Sequence, residues 1–307
     1  MKIRLFFVLL ALGVVMTQVS GVPGVSGVNA QQKTNWKPVD DAMGRPGQDQ
    51  PDGAHKYAMP RSDLKVTVDG VAPKAGFALG SWADFSSMGS HSDVMGDLVL
   101  TESEIGPVMQ KLIDSGIEIT ALHNHLLNES PHVMYMHIHG RGDAAQLASS
   151  IHAALALTKT PPAQPAPPAN ANQDPGIDTK QVDAALGYTG KVNNGVYQFA
   201  VPRAEKITDG GMPVPNSMGV ATAINFQPTG GGKSAITGDF VLTGKEVNPV
   251  IKALRQNGIA VNAVHSHMLD EQPRLFFMHF WANDDAVKLA KGLRAALDQT
   301  NSAKAKP

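Results

Sequence analysis

The chain has 307 residues, 42% hydrophobic and 17% charged, with 26 Lys and Arg against 27 Asp and Glu. This is a globular composition of near-zero net charge, and it excludes an electrostatic footprint for nucleic acid. Cysteine is absent, which excludes disulfides and leaves His, Asp, Glu or Met to hold any metal.

Residues 1–30 read as a signal peptide. Lys2 and Arg4 precede the apolar run 5–15, and Val28-Asn29-Ala30 suits cleavage. The run is short for a bilayer span. The expectation is a periplasmic or secreted protein with no stable membrane anchor after cleavage.

The rest of the chain is one unit written twice. Gly96-Asp97-Leu98-Val99-Leu100-Thr101 returns as Gly238-Asp239-Phe240-Val241-Leu242-Thr243. His123-Asn124-His125 returns as His265-Ser266-His267, and Met136-His137 as Met278-His279, each after the same 142 residues. The earlier halves match more loosely, through Val39-Asp40 with Val182-Asp183 and Pro60-Arg61 with Pro202-Arg203. The units are placed at 36–159 and 178–301, joined by a Pro/Ala-rich linker at 160–177.

Within a unit, strands are predicted at 77–85 and 94–100, with counterparts at 221–226 and 234–242. A helix follows, with Ile105, Val108, Met109 and Leu112 on one face and Gly116 or Gly258 as a left-handed cap. Thr101 with Glu104, and Thr243 with Glu246, fit a capping box. Pro107 and Pro249 offer a later helix start. Strands are predicted next at 117–125 and 133–139, and at 259–267 and 275–281. A last helix opens at Asp143 or Asp285. The fold class is α+β: two tandem ββαββα-type units, antiparallel sheets with helices on one face, packed as a pseudo-dimer.

Strand residues alternate between faces, so His123 and His125 share one side, as do His265 and His267. If the returning strand turns about Pro131, His125 faces His137 and His123 faces His139. In the second copy His267 faces His279, and His265 faces Trp281. Directly opposed side chains lie about 4.5–5.5 Å apart at Cβ, close enough for imidazoles to share an ion. His123, His125, His137, His139, His265, His267 and His279 are therefore candidate ligands for a divalent transition metal, Zn or Cu by donor type. Glu129 and Glu271, at the hairpin tips, are candidate general bases, ligands or ligand-orienting groups.

Met136 and Met278 fall on the opposite face, with Met134, Ile138, Phe276 and Phe280, and are expected to pack against the helices. Asp97 and Asp239 stay open between ligands and turn or bulge residues. Arg61 and Arg203 are expected in structural ion pairs rather than at an anion site. Trp82, Trp281 and Tyr135 suit either a pocket lining or sheet packing.

The runs His123-Asn124-His125-Leu126-Leu127-Asn128-Glu129-Ser130-Pro131, Tyr135-Met136-His137 and His265 to Trp281 resemble the LppY/LpqO family of exported proteins and lipoproteins. The resemblance spans nearly the whole chain after residue 30 and implies little about activity. Lacking a Cys to lipidate, the chain departs from the lipoprotein pattern. Three functions follow as expectations: an exported metal-binding protein with His-x-His hairpin sites, a metal-dependent hydrolase using Glu129 or Glu271, or a non-metal module with a cleft for a small ligand or envelope partner.

Overall fold

A computed structural model describes residues 34–87, 89, 91–163 and 175–304. The segment read as a signal peptide and most of the linker lie outside the described residues. From Asn35 onward the chain forms one compact unit containing both repeats. Among the described residues no helix is long and apolar enough to cross a membrane.

The first repeat runs helix Lys37–Met43, strands His55–Pro60, Gly80–Ser87 and Ser92–Thr101, helix Glu102–Asp114, strands Glu118–His123 and Val133–Gly142, and helix Ala144–Leu155. The second runs helix Thr179–Leu186, strands Val196–Pro202, Ala221–Gly230 and Lys233–Thr243, helix Gly244–Gln256, strands Ala260–His265 and Leu275–Asp285, and helix Ala286–Leu297. Each repeat builds a six-stranded antiparallel sheet with its last long strand beside the middle one, as in Ser92–Thr101 next to Val133–Gly142. The expected α+β class and tandem units hold. Each repeat also opens with a helix and a strand that precede the predicted elements.

Alternation along the strands sorts the layers. Leu98, Leu100, Met136 and Ile138 pack with Val108, Leu112, Leu147 and Ile151 of the helices. Phe240, Met278 and Phe280 do the same in the second repeat, so Met136 and Met278 are core residues, as expected. The opposite sheet faces meet each other. Val99, Val133 and Tyr135 share a cluster with Val196, Ala235 and Trp281 of the other repeat. Val241, Leu275 and Phe277 share one with Ala54 and Met95. The result is helix, sheet, sheet, helix in layers, and the middle of the molecule is sheet against sheet.

The capping boxes are present at Thr101 and Thr243, so the helices start there and carry Pro107 and Pro249 inside. Each box is locked by a buried arginine. Arg61 donates to Glu104 at 2.7 Å and to the Val99 carbonyl at 2.7 Å, and Arg203 treats Glu246 and Val241 alike. The loosely matched Asp40 and Asp183 also prove equivalent, accepting from Tyr57 at 2.8 Å and Tyr197 at 2.6 Å. The predicted strand 77–85 is shortened because Ala75–Ala78 coils into a helical turn. That turn buries Phe77 and Leu79 and brings Phe77 against Trp281, with ring centroids 6.2 Å apart.

Candidate metal centre

His137 and His279 are the anchors. Each sits mid-strand on the face turned toward the other sheet, paired across the ladder with Asp97 and Asp239 respectively. Their Nδ1 atoms lie 3.2 Å from the Gly96 carbonyl and 2.8 Å from the Gly238 carbonyl. A carbonyl only accepts, so each ring carries its proton on Nδ1 and turns a lone pair on Nε2 toward the middle. The glycines permit a close strand approach: a Cβ on Gly96 would stand 2.7 Å from the Trp82 carbonyl. Asp97 and Asp239, left open from sequence, are thus part of the centre.

The predicted hairpin register is corrected. His137 lies opposite Ala121, and His123 opposite Tyr135. In the second repeat His279 lies opposite Ala263, and His265 opposite Phe277. Residues 124–132 are not a tight turn. Glu129–Ser130 leave to pair with Thr67–Val68, which lengthens the connection. The slip is even-numbered, so the histidines keep their face. His125 and His267 lie just past their strand ends at His123 and His265.

What joins the histidines is the other repeat. His123 stacks on His265 with centroids 3.7 Å apart, His125 on His279 at 3.8 Å, and His137 on His267 at 4.0 Å. These pairs respect the pseudo-twofold relation of the repeats. Three sets have donor atoms all within 4.8 Å of one another: His123, His265 and His279; His137, His265 and His267; Asp97, His123 and His137. Tyr135 and Phe277 floor the cluster, stacked on His125 at 3.4 Å and on His267 at 3.5 Å. The expectation of a separate site in each hairpin is therefore replaced by one composite cluster.

Its polar atoms lack partners. The Nε2 atoms of His123, His125, His137, His265, His267 and His279, with His265 Nδ1, Asp97 Oδ1 and Asp239 Oδ1, are buried and make no hydrogen bond. His267 donates from Nδ1 to the Gly219 carbonyl at 3.0 Å, yet its Nε2 faces Asp239 Oδ2 at 2.9 Å. His125 Nε2 faces Asp97 Oδ2 at 3.1 Å without hydrogen-bond geometry. Burial, then the neighbouring imidazoles, push His125, His265 and His279 well below the usual imidazole range, and His137 with them. Burial takes His267 down to about 3 and Asp239 up to about 6. His125, His137, His265, His267 and His279 are thus held as neutral imidazoles beside two carboxyl groups.

A clasp missed by the sequence reading surrounds it. Ser266 Oγ donates to the Thr120 carbonyl at 2.8 Å, and Thr120 Oγ1 to the His267 carbonyl at 2.7 Å. Asn124 Nδ2 donates to the Asn262 carbonyl at 3.2 Å, and Asn262 Nδ2 to the His125 carbonyl at 3.0 Å. The middle residue of each His-x-His thus reaches across to the other repeat. Its signal was available, since both middle residues are small polar hydrogen-bonders.

Three expected site residues fall elsewhere. His139 lies outside the three sets, with its nitrogens 3.6 Å from Glu118 and 3.4 Å from Asp209. It lines a cavity of about 250 Å³ with Glu118, Arg141, Asp209 and Asp270. Glu129 and Glu271 serve the turns instead of the centre. Glu271 accepts from Leu275 N at 2.7 Å and pairs with Arg274, while Glu129 accepts from Val133 N at 3.3 Å. Burial pushes Glu129 up to about 7. Neither glutamate joins the convergent sets, so the hydrolase expectation loses its base. The cleft module fails too, because the facing sheet sides are packed against each other.

The family described as Domain of Unknown Function (DUF1259) matches residues 37–157 and 180–299, one segment per repeat, and the chain belongs to it. That match takes the place of the LppY/LpqO resemblance, for which nothing was found. No curated protein matches the chain. Among solved structures, a trimeric bacterial microcompartment shell protein, PduB, is 13% identical over 84% of this chain and 95% of its own, with a TM-score of 0.20. EtuB from Clostridium kluyveri is 9% identical over 82% of this chain and 90% of its own, with a TM-score of 0.19. At those scores neither likeness fixes the architecture or assembly of this chain. The family match carries no support for the exported, periplasmic or secreted reading, which is not taken further.

Proposed function

We propose that this member of the DUF1259 family holds divalent transition metal in a single centre shared by its two repeats. His123, His125, His137, His265, His267 and His279 supply imidazole nitrogen, and Asp97 and Asp239 supply carboxylate oxygen. The observation that carries the reading is the convergence of nine buried, unpartnered donor atoms. An unpartnered buried polar group costs about 1–3 kcal/mol, so the set costs about 9–27 kcal/mol. That equals or exceeds the net stability of a typical domain, about 5–15 kcal/mol. Something must offset it.

A bound cation does so by taking the lone pairs of several donors at once. His267 has its hydrogen on Nδ1, so its Nε2 and the Asp239 oxygen 2.9 Å away are both lone-pair bearers. Two such atoms repel unless a proton or a metal ion lies between them. Donors around a tetrahedral ion with bonds of about 2.0–2.1 Å stand about 3.3–3.4 Å apart, which is the scale of this contact. With no thiolate or thioether in the set, Zn²⁺ and Cu²⁺ suit it better than softer ions. The backbone carbonyls of Gly96, Gly219 and Gly238 fix ring tautomers behind the ligands.

The test is elemental analysis of the full chain purified without a His tag, followed by chelation. Bound metal near stoichiometry and a lower melting temperature after chelation are expected. Metal binding only the folded form at 100 times its Kd adds about 2.7 kcal/mol. Protein free of Zn, Cu, Ni and Fe, whose melting temperature ignores all four, overturns the reading.

A further inference from the structure

We infer that the centre takes two ions, placed symmetrically about the axis that relates the repeats. This rests on the reading that the centre binds metal, and goes beyond it in nuclearity and in the division of ligands.

The eight donors fall into two poles. At one, Asp97 Oδ2 stands 3.1 Å from His125 Nε2, and the His125 ring stacks on His279 of the other repeat at 3.8 Å. At the other, Asp239 Oδ2 stands 2.9 Å from His267 Nε2, and the His267 ring stacks on His137 at 4.0 Å. His123 and His265 lie between, face to face at 3.7 Å. Of these, His123 falls within ligand range of Asp97, His137 and His279, and His265 within range of His137, His267 and His279, so each central ring can serve either pole.

A single tetrahedral ion takes four donors. It would leave the other four side chains buried and unpaired, with the cost that argues for metal in the first place. Two ions use all eight. One is held by Asp97, His123, His125 and His279, the other by Asp239, His265, His267 and His137. Each ion then has three imidazoles and one carboxylate, and each draws ligands from both repeats. The arrangement follows from the pseudo-twofold: an off-axis site on one side implies its equivalent on the other. His139 has no place in either set, in keeping with its replacement by Trp281 in the second copy.

The probe is Co²⁺ added to the untagged full chain after metal removal, with bound ion counted by elemental analysis and ligand-field absorption. Saturation at two equivalents per chain is expected. X-ray absorption should add a metal–metal scattering contribution. Asp97→Asn and Asp239→Asn, checked for folding by circular dichroism, should each retain one equivalent. A wild-type chain that saturates at one equivalent overturns the two-ion inference and leaves the metal reading intact. A chain that binds none overturns both. A folded aspartate variant that still binds two equivalents overturns the ligand assignment.

Discussion

The two ends of the layer between the sheets are built from equivalent positions and filled in opposite ways. At one end Trp281 lies buried with Val68 and Phe77 in an apolar cluster. At the other, the equivalent of Trp281 is His139, and the equivalent of Val68 is Asp209, the residue that pairs with Glu271 as Val68 pairs with Glu129. There the imidazole stands 3.4 Å from the carboxylate beside a polar cavity. The histidine centre between the two ends keeps its pseudo-symmetry. Duplication therefore left the centre alike in both copies while one flank stayed packed and the other opened to polar groups. The flanks set stability and shape. The centre, with donors from both copies, is where chemistry is concentrated.

The comparison can be broken most forcefully at the flanks. Trp281→Ala should cost about 3–5 kcal/mol, because it removes a large ring from a packed cluster. His139→Ala should cost less, since the ring it removes lines a polar cavity and not a packed apolar cluster. Denaturant unfolding of the two variants measures the difference. Equal losses would mean that the two ends are energetically alike.

The repeats should respond equally where they are built equally. Arg61→Met and Arg203→Met each strand a buried glutamate, at about 3–5 kcal/mol. The same pairs give a pH dependence. Burial pushes Glu104 and Glu246 up, but hydrogen bonds from the arginines and from backbone amides push them down further, below 4.5. A depressed carboxyl stabilises the fold above its unfolded value and loses that contribution as pH falls through the folded one. Acid unfolding of the wild type should therefore steepen below pH 4.5, and each arginine variant should flatten that region.

Smaller effects sharpen the picture of the centre. Gly96→Ala and Gly238→Ala should each cost about 1–3 kcal/mol by overpacking. Gly238 should cost more, because its added Cβ meets the Ala223 carbonyl more closely. Ser266→Ala should cost about 0.5–1.5 kcal/mol through the lost hydrogen bond to Thr120. It should weaken metal retention more than it weakens the fold, read as faster loss of ion to a chelator.

Much of this was legible in the sequence, for identifiable reasons. The constant offset fixed the two units, and the period of two placed His123, His137, His265 and His279 on one face and Met136 and Met278 on the other. The register was misread because Pro131 suggested a tight turn, whereas the pairing of Glu129 with Val68 depends on a distant segment. The same distant pairing took Glu129 and Glu271 away from the site. The stacking of His123 on His265 was beyond reach for a related reason: alternation within a strand says which face a residue occupies, and only the packing of sheet on sheet says what it meets. Asp97 and Asp239 could be weighed only once their strands were seen beside those of His137 and His279.

The most direct test of the account is a crystal structure of the metal-loaded full chain, with data collected at the absorption edge of the bound ion. The account predicts anomalous density between the two sheets, bonded to Nε2 atoms from both repeats and to Asp97 or Asp239. Density bonded to the histidines of one repeat alone, or none at this position in protein that binds metal in solution, would contradict it.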